Sequence, residues 1–78
     1  MIDRYKTRAT NLAALLAELT SDGVMSLREQ ADMLGVAEGL LSRLMSGEPV
    51  SDAVVQEMEW GMQKPQGWMD EDHSTGVL

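Results

Sequence analysis

The chain has 78 residues, no cysteine and no phenylalanine, and its 13 acidic against 6 basic side chains give a net charge of −7. That length suits one domain near the lower limit for an unstapled core, and without thiols there are no disulfides or thiolate metal sites. No apolar run is long enough for a membrane span or a signal h-region, which gives a cytoplasmic expectation, and leucine with seven methionines must supply the core. Residues 1–6 read as a basic N-terminal arm. Leu12, Leu15, Leu16 and Leu19 recur at three- and four-residue spacing and predict a helix over 7–20, closed by Ser21-Asp22-Gly23. Ser26-Leu27-Arg28-Glu29 is a capping box, so a second helix starts at Leu27 and ends near Leu34. A third covers about 38–45 and stops at Ser46-Gly47. Ser51 caps a fourth, with Asp52 in its first turn and Val54, Val55, Met58 and Met62 on its buried face. Pro65 suits the first position of a short fifth helix holding Trp68 and Met69, which closes a domain over 7–70. Residues 71–78 form a polar, acidic tail.

The segment from Leu27 to Gly47 carries the most information. Ala31 is small enough to let two helices cross closely, and Gly35 can take the positive φ that a sharp turn between them needs. Leu34, Val36, Leu41 and Leu44 fall where such a pair requires apolar residues to pack on a third helix. This is the organisation of a DNA-reading helix-turn-helix, whose second helix enters the major groove.

On Gln30-Ala31, Leu34-Gly35-Val36, the run Leu41 to Gly47, Val50-Ser51-Asp52 and Pro65-Gln66-Gly67-Trp68-Met69-Asp70, the chain resembles the phage Cro/repressor-type (lambda-repressor-like, XRE) helix-turn-helix family. The resemblance covers about four fifths of the chain. It implies an all-α, compact bundle of four or five helices and a transcription regulator, a phage or mobile-element repressor on an inverted-repeat operator in a bacterial or phage-infected cell. There are three departures from the family pattern. Ala37 replaces the usual serine cap, Leu27 stands where many members place glutamine, and Glu48, Gln56, Glu57 and Glu59 occupy positions that are often basic.

With Leu41 and Leu44 turned inward, Glu38, Gly39, Ser42 and Arg43 face outward and are the candidate base contacts. Arg43 leads, because its planar fork can take guanine O6 and N7 together. Glu38 also suits its own helix N-terminus as an anion. Arg28 and the cluster Arg4, Lys6 and Arg8 are the candidate phosphate contacts, enough for a log–log salt slope of about −4. Acid is concentrated in residues 48–78, where Lys64 alone faces Glu48, Asp52, Glu57, Glu59, Asp70, Glu71 and Asp72.

Trp60 falls opposite the apolar stripe of its helix, so the core should leave it exposed, and with Trp68 and Met69 it forms a candidate homodimer interface. The single histidine, the missing cysteines and the missing glycine-rich phosphate loop argue against an enzyme, and no cofactor or metal is implied. Asp70-Glu71-Asp72-His73 reads more simply as a solvated acidic stretch than as a metal site. A reading from another class remains beside the regulator. The scaffold would bind and inhibit a host or phage protein, with the acidic side chains of the fourth helix and Trp60 as its working surface.

Overall fold

The computed structural model describes residues 3–73. Among these the chain forms four helices, α1 (Arg4–Ser21), α2 (Leu27–Leu34), α3 (Glu38–Met45) and α4 (Asp52–Gly61), then one 3-10 turn at Trp68–Asp70, and no strand. None of the helices among the described residues is long and apolar enough to cross a membrane.

Each start has a local cause. The Asp3 carboxylate accepts hydrogen bonds from the backbone N–H groups of Tyr5 (3.0 Å) and Lys6 (3.3 Å), so α1 begins at Arg4 and the expected basic arm is its first turn. Residues 1 and 2 of that arm lie outside the described residues. Ser26 Oγ accepts from Glu29 N at 3.1 Å and donates to Glu29 Oε1 at 2.9 Å, which sets α2 at Leu27 as its sequence indicates. Ser51 Oγ accepts from Val54 N at 3.3 Å at the head of α4. Ala37 gives α3 no such bond.

The ends share one device. Past each helix a residue with positive φ turns the chain back, and the following N–H reaches the carbonyl five residues earlier. At Gly35 (φ 77°) this joins Val36 N to Ala31 O at 3.1 Å and makes the sharp α2–α3 turn. At the end of α4 the position is held by Gln63 (φ 57°), the one non-glycine residue with positive φ among those described. Gly61 serves another purpose. A Cβ there would lie 2.7 Å from Met33 O and 3.0 Å from Leu34 C, so α4 presses directly on the backbone at the end of α2.

Leu12, Leu15 and Leu19 of α1 meet Leu34, Leu41 and Met58 in one core. Of the methionines among the described residues only Met58 and Met69 are fully enclosed, while Met25, Met33 and Met45 are exposed, so leucine rather than methionine supplies most of the bulk.

The expected fifth helix is a single 3-10 turn. Pro65 lies ahead of it, its carbonyl accepting from Trp68 N at 3.0 Å, and Met69 plugs the core. Buried polar side chains hold this segment. Asn11 Nδ2 donates to the carbonyls of Met69 and Glu71, both at 2.8 Å, and Glu59 Oε2 accepts from Gly67 N (3.1 Å) and Met69 N (2.9 Å). His73 stacks on Trp68 with 4.2 Å between ring centroids, so residues 71–73 are tied to the domain rather than forming a tail. Residues 74–78 of the expected tail lie outside the described residues.

Candidate nucleic-acid interface

The α2–Gly35–α3 unit presents one polar surface. Leu41 and Leu44 are buried beneath α3, and Glu38, Gly39, Ser42 and Arg43 are all exposed on its outer side, so the four candidate base contacts share one face. Arg28 is exposed in the first turn of α2 and makes no ion pair among the described residues. Arg43 is engaged. The turn at Gly47 (φ 113°) brings Glu48 N to Arg43 O at 3.1 Å, and the Glu48 carboxylate then lies 3.4 Å from Arg43 Nε, with the two side chains 44% and 61% exposed. Glu57 of α4 leans over the α2–α3 turn, its Oε2 3.9 Å from where a Cβ on Gly35 would sit.

Of the N-terminal cations, Arg8 does not join this surface. Arg8 is buried and cannot meet a phosphate. Its Nε donates to Asp70 Oδ1 at 2.7 Å, its Nη1 to Val50 O at 2.7 Å, and its Nη2 to Asp52 Oδ1 (2.7 Å) and Asp70 Oδ2 (3.2 Å). These bonds raise the guanidinium pKa further and, against some loss of hydration, hold the Asp70 carboxyl below the usual carboxylate range. Arg4 lines a groove with Asp52, Gln66 and Asp70, and Lys6 lines one with Thr10, Asn11 and Asp72; neither groove includes an α3 residue. The cations of the α2–α3 pair itself are Arg28 and Arg43.

The acidic excess of residues 48–73 also reads differently in three dimensions. Glu59 is buried, Asp52 and Asp70 share Arg8, and Glu48 faces Arg43. Asp52, Asp70 and Glu48 stay exposed in these pairs, so of the acidic working surface Glu59 alone drops out. Sequence reading missed Arg8, Asn11 and Glu59 as internal groups, although their spacing carried the signal. Arg8 and Asn11 fall in helical register with Leu12, Leu15 and Leu19, and Glu59 with Val55.

Of the candidate interface residues, Trp60 is 85% exposed. Met69 is fully enclosed by its own chain and cannot serve an interface. Trp68 is half-buried, with Lys64 Nζ 5.1 Å from its ring centroid and His73 stacked upon it. No protein-family model, curated protein or solved structure matches this chain.

Proposed function

We propose that this protein is a small sequence-specific DNA-binding regulator, a repressor of the lambda-repressor-like helix-turn-helix kind, reading the major groove with α3. The observation that supports this best is the α2–Gly35–α3 unit. Two eight-residue helices are joined by a glycine turn, with Leu41 and Leu44 inward and Glu38, Gly39, Ser42 and Arg43 outward on one exposed face. A helix so mounted fits a groove about 12 Å wide. Arg43 is the base-reading side chain and Arg28 the phosphate contact. With the two cations of the α2–α3 pair as the contacts, the salt slope expected per protomer is about −2 rather than −4. Trp60 is then the surface through which two protomers pair on an inverted repeat.

Selection of bound duplexes from a random pool at low salt tests the reading, with Arg43→Ala as control. Enrichment of an inverted repeat with half-sites about one helical turn apart, lost in the variant, supports it. No enrichment by a protein that keeps its helical fold refutes it. The protein-binding alternative retains the exposed Trp60, Glu57 and Asp52, the last paired with Arg8, and loses Glu59, whose carboxylate is buried against Gly67 and Met69.

A further inference from the structure

We infer that Glu48 is a specificity-determining residue of the α3 surface, a positioning carboxylate that holds Arg43 and penalises binding to DNA of the wrong sequence. This inference rests on the DNA-binding reading and adds a role for the acid beside it. The geometry begins in the backbone. Gly47, at φ 113°, folds the chain back over the end of α3, and Glu48 N donates to Arg43 O at 3.1 Å. One residue therefore carries a backbone bond to Arg43 and a carboxylate 3.4 Å from its guanidinium Nε. Both side chains remain substantially exposed, so the pair is open to competition from a ligand rather than locked in the core.

An arginine in this position has two ways to meet a duplex. It can bind any phosphate as a cation, or it can present its fork to the two acceptors of a guanine. Glu48 acts oppositely on the two. Its carboxylate neutralises Arg43 in the free protein and repels the phosphate backbone, which weakens attraction to duplex of any sequence. At 3.4 Å the contact is an ion pair without a side-chain hydrogen bond, so the guanidinium N–H donors stay available to a base, and it restricts the rotamers of a long side chain that otherwise loses freedom on binding. The correct base edge repays displacement or sharing of the carboxylate, and a random phosphate does not. Specificity arises here from a repulsive element as well as an attractive one.

The test is binding of a labelled duplex chosen by the selection above, and of a scrambled duplex of equal length, across a salt series. The proteins compared are the wild type, Glu48→Gln, Glu48→Asp, Arg43→Ala and the double variant Glu48→Gln/Arg43→Ala. Glu48→Gln should tighten the scrambled complex roughly two- to fivefold, the span of a single exposed ion pair. It should tighten the selected complex less, so the specificity ratio falls, and the Glu48→Asp protein should recover the wild-type ratio. In the Arg43→Ala background the substitution should change the ratio little, because the effect runs through Arg43. An unchanged ratio in Glu48→Gln overturns the inference, as does an equal change with and without Arg43, which would mark a general charge effect. If the wild type binds the selected duplex specifically while Glu48→Gln matches it, only this inference fails. If no protein distinguishes the duplexes, the DNA-binding reading fails and takes the inference with it.

Discussion

Replacing Asp70 by asparagine tests whether the Arg8 network is the fastening of the C-terminal turn. The carboxylate accepts two bonds from Arg8, at 2.7 and 3.2 Å, and the amide can keep only one while turning an NH2 toward a guanidinium NH2. A hydrogen bond to a charged group contributes about 1.5–3 kcal/mol when buried. The Asp70 side chain is 38% exposed and water shares its solvation, while Asp52 remains 2.7 Å from the same guanidinium, so the low end applies. The expected loss is about 2 kcal/mol of the roughly 4–12 kcal/mol available to a domain of this size. By circular dichroism that lowers the melting temperature by about 8–16 °C at neutral pH. The effect also has a pH signature. Because Arg8 holds the folded Asp70 carboxyl below its unfolded value, its stabilisation is fully present above the unfolded aspartate value of about 3.9. It is lost as pH falls through the folded value, so wild type and Asp70→Asn should converge on acidification from neutral. A neutral-pH gap under about 0.5 kcal/mol, or one that does not narrow on acidification, refutes the reasoning.

Gly61→Ala should destabilise the fold by about 1–3 kcal/mol, because the new methyl meets the Met33 carbonyl oxygen at 2.7 Å and backbone must move; denaturant unfolding measures it. Gln63→Gly should act in the opposite direction, raising stability by about 0.5–1 kcal/mol by removing a side chain from a left-handed position, read as a higher denaturant midpoint. Trp60→Ala should leave monomer stability within about 0.5 kcal/mol of wild type, since the ring is largely in water, while sedimentation equilibrium should show weakened self-association. A mass that stays monomeric at all concentrations in the wild type would remove the dimer.

The limits of α2 and α3 were legible because capping and glycine chemistry are local: Ser26 with Glu29 at one end, Gly35 and Gly47 at the others. The start of α1 was not, because Asp3 stands ahead of charged residues that carry no apolar periodicity, and its capping role shows only once its bonds are seen. Charge misled at Arg8 and Glu59. Both were assigned to the surface by residue type, yet their partners are supplied from more distant chain, at Val50, Asp52 and Asp70 for the arginine and at Gly67 and Met69 for the glutamate. Trp60 was placed correctly from its helical angle alone. The outward face of α3 could be read for the same reason, because two enclosed leucines fix the direction of everything between them.

The bond between Arg8 and Asp70 spans 62 residues, and that distance has a consequence in time. On a growing chain α1 is complete long before its anchoring carboxylate is synthesised, while α2 and α3 have their partners close at hand. Closing the longest loop comes at the largest entropic cost, and only after nearby contacts have formed. The first helix made should therefore be the last one fastened, and an Arg8 waiting for Asp70 is the exposed group that a nascent or partly opened molecule would show.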